Sequence, residues 1–215
     1  MKGTTHLGIG VAIGVAATLY YPFTIENAAI YVAVSGFSAL SADLDGPSIL
    51  SSRIGKMSKQ LQTLLVWLSF FLITVLTYLY LSRGAFYPEY SVVCVISLLV
   101  GFMTKQGVIR NALVSIIGGC MIYGGWLTGM SGLIGLGIFV AWAPWLSHRG
   151  MTHTIWALLY WAAISLEMER YLHIEGLMAV STTGYLSHLL ADTLTPQGVK
   201  WLYPFYKKSI KLPLK

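Results

Sequence analysis

The side chains able to do chemistry in this chain are few, and they fall in four places. His6 stands near the start. Asp43 and Asp45 flank one residue in Ser41-Ala42-Asp43-Leu44-Asp45-Gly46-Pro47. His148, Arg149 and His153 share a six-residue stretch, and His188 and Asp192 lie four apart. These places hold four of the five histidines and all three aspartates. Imidazole nitrogen and carboxylate oxygen are donors that zinc and manganese take, and no cysteine is required. Residues four apart share one face of a helix, so His188 and Asp192 point the same way. Asp43 and Asp45 repel each other unless a cation sits between them. Their spacing suits a bridging or bidentate site, or one ligand plus one orienting carboxylate. Gly46-Pro47 should end the helix just after them.

The chemistry expected is hydrolysis by water that a divalent ion, zinc or manganese, acidifies from 15.7 toward about 7. His153, His188, Asp192 and one of Asp43 or Asp45 are the expected ligands, with His6 joining them or supporting them. Asp45, where it is the free carboxylate, or His148 would act as general base. Arg149 has the planar fork that matches two phosphate oxygens.

The elements that must position these residues belong to a membrane protein. The chain has 215 residues, 56% hydrophobic and only 10% charged, with a mean hydropathy of +0.69. A soluble domain carries about 25% charged residues. A bilayer, not water, can absorb this much apolar surface. The expected fold is all-α: a polytopic transmembrane helix bundle of about eight spans, with six or seven as alternatives. The spans are placed near 7–22, 28–42, 61–82, 90–104, 110–127, 131–146, 153–168 and 175–194. Residues 1–200 are expected to form one transmembrane domain. Residues 201–215, with Trp201, Tyr203, Phe205 and Tyr206 before Lys207, Lys208 and Lys211, suit an interfacial tail.

Charge supports this threading. With Lys2 cytoplasmic and eight crossings, twelve of the fourteen basic residues fall on the cytoplasmic side, Arg53, Lys56, Lys59, Lys105, Arg110 and Lys215 among them. Arg83 and Arg170 fall outside, with Glu26, Glu89, Glu167, Glu169 and Glu175. Both termini are therefore expected in the cytoplasm of a bacterial-type inner membrane. Every candidate site residue then lies at the cytoplasmic end of its helix, although neither His nor Asp entered the count. His173 falls at the opposite face and reads as an ordinary loop residue.

Other features have plainer readings. The net charge of +6 fits the positive-inside rule and anionic lipid, and no nucleic-acid motif accompanies it. Cys94 and Cys120 read as small core residues. The start of the chain is read as a first span and not a cleaved leader, because removal would discard His6. Gly10 with Gly14, and Gly118, Gly119, Gly124 and Gly125, read as close helix packing. There is no His-Glu-x-x-His, phosphate-binding loop or Gly-x-Ser-x-Gly elbow.

Taken singly, His188 with Asp192 could be a helix cap, Asp-x-Asp before Gly-Pro a solvated turn, and Arg149 a basic anchor. Their joint placement favours a metal or catalytic site. Two rivals remain: an ion- or proton-handling protein, which should carry ionisable groups at mid-membrane, and a structural polar network that binds no metal.

In these residues the chain resembles the YdjM-type family of LexA-regulated, membrane-bound metal-dependent hydrolases. The features are Thr5-His6, Asp43-Leu44-Asp45, Arg149-Gly150-Met151-Thr152-His153-Thr154, and Ser187-His188 followed by Asp192, Thr195, Gly198 and Pro204, in order along nearly the whole chain. The resemblance implies a helical inner-membrane protein with a metal site formed by His6, Asp43, Asp45, His148, His153, His188 and Asp192. It also implies a looser likeness to zinc-dependent phospholipase C. Gly46-Pro47 departs from the more polar continuation expected there. The substrate expected is a phosphoester or ester of a lipid or lipid-linked molecule at the cytoplasmic membrane face.

Overall fold

The computed structural model describes residues 1–46, 48–103 and 107–212. Pro47, Lys105 and Lys215, used above, lie outside the described residues. Eight α-helices are present among the described residues, one for each expected span: α1 (Gly3–Tyr20), α2 (Ile25–Ser41), α3 (Ser52–Arg83), α4 (Pro88–Met103), α5 (Val108–Thr128), α6 (Ser131–Trp142), α7 (Ile155–Leu172) and α8 (Leu177–Thr193). Among the described residues, four segments are long and apolar enough to cross a bilayer: Gly3–Tyr20, Ile25–Asp45, Ser52–Arg83 and Val108–Thr128. α4 and α6 are shorter apolar helices.

The boundaries differ from expectation where local chemistry decides them. α1 begins at Gly3, so His6 lies inside it. α3 starts at Ser52 and takes in Arg53, Lys56 and Lys59, which the sequence placed in a loop. Its 32 residues reach about 48 Å at 1.5 Å each, beyond a hydrocarbon core of about 30 Å, so the basic first turns can stand outside. α6 stops at Trp142 because Pro144 has no N–H to continue the ladder, and a 3₁₀ turn follows over Ala143–Trp145. α7 begins only at Ile155, where Thr154 accepts a hydrogen bond from the Ala157 N–H at 3.3 Å. His153 therefore sits in a separate 3₁₀ turn, Met151–His153.

The chain divides into two compact units, Met1–Ser52 with Val114–Lys215, and Arg53–Leu113. In the first, α1 packs on α2, α2 on α8, α8 on α7 and α7 on α6. Close approach explains the glycines. A Cβ at Gly14 would lie 2.5 Å from Val32 Cα, and one at Gly184 would lie 2.7 Å from the Ser35 carbonyl oxygen. Gly118 and Gly125 meet α6 in the same way, whereas Gly119 faces open space. A buried polar knot ties three helices together. Trp161 Nε1 donates to Ser38 and Ser181 at 3.1 and 3.0 Å, and Ser165 donates to Ser181 at 2.7 Å. Cys120 is exposed on α5, not a core residue.

In the second unit α3 and α4 run antiparallel. Gln62 donates to the Gly101 carbonyl at 2.9 Å, and buried Cys94 donates to the Ser69 carbonyl at 3.3 Å. Leu64, Trp67, Phe71 and Ile96 point outward, as lipid-facing side chains do.

Candidate metal centre

The first unit gathers the candidate residues at one end. The start of α1 supplies His6, and the 3₁₀ extension of α2 over Ala42–Asp45 supplies Asp43 and Asp45. The turn between α6 and α7 supplies His148, Arg149 and His153. The last turns of α8 supply His188 and Asp192. His6, Asp45, His153, His188 and Asp192 are buried, with His153 and His188 fully so.

Four donor atoms converge. His153 Nε2 and His188 Nε2 are 3.3 Å apart. Asp43 Oδ1 lies 3.7 and 3.6 Å from them, and Asp192 Oδ2 lies 3.8 and 3.9 Å from them. A tetrahedral zinc centre with bonds of about 2.0–2.2 Å has ligand–ligand edges of about 3.3–3.6 Å. The observed edges match that size or slightly exceed it. Three overlapping His/Asp groups in this end of the unit have the spacing to hold a metal ion: His6 with Asp43 and His188, His153 with His188 and Asp192, and Asp43 with Asp45 and His148.

The hydrogen bonds behind the rings assign their tautomers. His188 Nδ1 lies 2.7 Å from the Ala39 carbonyl oxygen, which can only accept. Nδ1 therefore carries the proton, and Nε2 of the neutral ring presents a lone pair. Thr152 gives its one hydroxyl proton to Asp45 Oδ2 at 2.7 Å. His153 Nδ1, 3.0 Å from the same hydroxyl oxygen, must then donate to it. Its Nε2 also presents a lone pair. Two lone pairs 3.3 Å apart repel unless a cation or a proton lies with them.

Asp45 stands behind this cluster. Its Oδ1 meets His148 Nδ1 at 2.7 Å, and its Oδ2 accepts from the Arg149 N–H at 2.9 Å and from Thr152. Asp45 Oδ2 is also 3.5 Å from His153 Nδ1. A carboxylate placed behind a histidine, on the ring nitrogen turned away from the ligand cluster, fixes that ring's orientation. His148 is 56% exposed, and a Cβ at Gly46 would come 3.3 Å from its Nδ1. The glycine thus leaves room for the ring.

Asp192 draws the remaining charges. Arg149 Nη2 is 3.0 Å from its Oδ2, the Met1 amino group 2.7 Å from its Oδ1, and His6 Nε2 3.4 Å from Oδ1. His6 also stacks on His188 with ring centroids 3.9 Å apart. Its Nδ1 is buried with no hydrogen-bond partner among the described residues; with Nε2 turned to a carboxylate that can only accept, Nδ1 of the neutral ring keeps an unspent lone pair. Arg149 adopts φ of 59°, a left-handed conformation that costs a non-glycine residue about 1 kcal/mol or more. Its N–H bond to Asp45 holds that conformation in place. Arg149 Nη1 reaches the Gly198 carbonyl at 3.4 Å.

Several contributors carry no sequence signal: the Ala39 carbonyl, Tyr185, which donates to the Thr152 carbonyl at 2.5 Å, and the returning C-terminal segment. There the Ile155 N–H donates to the Trp201 carbonyl and Trp201 Nε1 to Thr193, both at 2.9 Å. Thr152 stood in the quoted motif, but its hydroxyl role depends on Asp45, over a hundred residues away. His173 caps the far end of α7 with φ of 55°, away from the cluster.

The profile of the YdjM inner membrane protein family matches residues 1–215. The chain is 40% identical over 60 residues to inner membrane protein YdjM of Escherichia coli (strain K12), and equally to that of Shigella flexneri. That stretch covers 26% of this chain and spans only 30% of the length of each relative. No solved structure matches. Matched along its whole length and built of apolar helices, this multi-pass chain belongs to the YdjM inner membrane protein family.

Proposed function

We propose that this protein is a metal-dependent hydrolase that cleaves a phosphoester or ester of a lipid or lipid-linked substrate at the cytoplasmic membrane face. The observation that carries the reading is the facing pair of Nε2 lone pairs on His153 and His188. Two carboxylate oxygens stand at ligand-edge distances from them. His153, His188, Asp43 and Asp192 would hold one or two zinc or manganese ions, with His6 joining through its stacked, under-used ring. A divalent ion there supplies Lewis acidity toward a phosphoryl or carbonyl oxygen and acidifies a water.

The chain's own residues do the rest. Asp45 and Thr152 orient His153. Exposed His148, anchored by Asp45, takes the proton from the attacking water. Arg149 offers its remaining N–H groups to an anionic substrate oxygen. Lys2, Lys200, Lys207 and Lys208 belong to the same end of the first unit, whereas Glu26, Glu167, Glu169 and Glu175 belong to the other. This segregation supports a cytoplasmic site with an interfacial tail over residues 201–215.

A proton shared by the two Nε2 atoms is the second reading, favoured by the same 3.3 Å distance. Elemental mass spectrometry of detergent-purified protein, followed by lipid mass spectrometry of phospholipid vesicles for cleaved head groups and acyl chains, separates the two. Bound zinc or manganese with turnover supports the hydrolase. Absence of metal after reconstitution with both ions sinks it and leaves the shared proton.

A further inference from the structure

Beside the site, between α6 and α7, lies a crevice of about 260 Å³ that the hydrolytic roles do not use. Its walls include Ile138, Phe139, Trp142, Met151, Trp156 and Tyr160. At one end it reaches Thr152, the hydroxyl that holds Asp45 and His153. At the other, Tyr160 donates to the Gly135 carbonyl at 2.9 Å and ties α7 to α6. From Trp156 to Tyr160 is about one helical turn, roughly 6 Å.

We infer that this crevice holds the first part of an acyl chain of an anionic bilayer phospholipid whose head group lies at the His/Asp cluster. Three observations point to a chain as the occupant. The lining is apolar apart from Thr152 and the Tyr160 hydroxyl, and Tyr160 already spends its proton on Gly135. An ordered water needs two to four polar partners. The crevice is continuous with lipid-facing surface, because Ile138, Trp142 and Trp156 on its walls are 46%, 56% and 42% exposed. Basic residues lie close in the chain to its lining: Arg149 stands two residues before Met151, and exposed Lys207 and Lys208 follow Phe205, which packs on Trp156 at 6.0 Å. These charges complement an anionic head group. The chain's position stands on the crevice alone; the head group's position rests on the hydrolase reading.

The test uses the full chain in phosphatidylglycerol vesicles containing a small fraction of phosphatidylglycerol with a diazirine early in its acyl chain. After irradiation, peptide mass spectrometry maps the adducts. Label should concentrate on Phe139, Ala157 and Tyr160 at least fivefold over Leu159 and Leu190, which are 57% and 50% exposed elsewhere on α7 and α8. Ile138→Trp, at an already exposed wall, should cut that label at least fivefold and leave Leu190 unchanged. Uniform labelling of the wild type, or label indifferent to Ile138→Trp, overturns the inference. Metal content and the hydrolysis products of phosphatidylglycerol (diacylglycerol, phosphatidic acid or free fatty acid) from the same vesicles keep the two ideas apart. Crevice label without metal or turnover supports the chain site and refutes the hydrolase, whereas turnover with uniform label refutes the chain site alone.

Discussion

His153 and His188 face each other with their Nε2 atoms 3.3 Å apart, each ring held from behind by a group that takes its Nδ1 proton. This relationship leaves two lone pairs pointing at one place, walled by two carboxylates. Such an arrangement is costly in a buried setting without a positive charge.

Purified wild type should carry one or two zinc or manganese ions per chain. His188→Ala and Asp192→Ala should lose at least nine-tenths of that metal while keeping helical circular dichroism and a monodisperse elution profile. Elemental mass spectrometry checks this. Folded variants that keep full metal would remove these two residues from the ligand set.

Thr152→Val should lower metal affinity by about 10–100-fold, the usual effect of losing a group behind a ligand. The valine has the threonine's shape but cannot give Asp45 a proton or receive one from His153. Thr152→Ser should restore binding to within about threefold. Competition with a chelator of known affinity reads both. Equal affinity in all three proteins would show that the hydroxyl does not orient His153.

Arg149→Gly separates backbone from side chain. Glycine accepts the φ of 59° more readily and keeps the N–H bond to Asp45, so folding should be preserved. Loss of the guanidinium should reduce turnover of an anionic lipid substrate at least tenfold with metal content unchanged. An unaltered rate would make Arg149 only a partner of Asp192.

Gly14→Ala should destabilise the bundle by about 1–3 kcal/mol, because the new methyl meets the α2 backbone at Val32. Gly8→Ala, with open space around it, should be neutral or stabilising by up to about 1 kcal/mol. Unfolding in mixed micelles measures both. Equal effects would mean that α1 and α2 do not pack through Gly14.

Trp161→Phe should cost about 0.6–1.7 kcal/mol, the range found for hydrogen bonds between membrane helices. It removes the indole N–H from Ser38 and Ser181 but leaves the two hydroxyls 3.0 Å apart and able to bond each other. A loss well above that range would mean that ring packing, not the hydrogen bond, holds α7 to its neighbours.

Some of this was legible in the residues alone. Long apolar segments with few charges demand a helical membrane bundle, because lipid leaves the backbone only itself to bond with. Basic and acidic residues alternate between loops, and that alternation sends the His- and Asp-bearing helix ends to one side. Four-residue spacing puts His188 and Asp192 on one face. Each of these is a local or one-dimensional property, so sequence carries it. Which atoms meet is a matter of packing. The Ala39 carbonyl that assigns the His188 tautomer has no side-chain signature. Asp43 and Asp45, near-equivalent in sequence, part company because the 3₁₀ turn aims Asp43 at the two imidazoles and buries Asp45 among His148, Arg149 and Thr152. The left-handed Arg149 and the outward His148 likewise arise only when segments a hundred residues apart are pressed together, and the crevice between α6 and α7 arises only when two successive helices pack. Hydrogen-bond geometry and cavity shape depend on those distances, and residue order alone does not encode them.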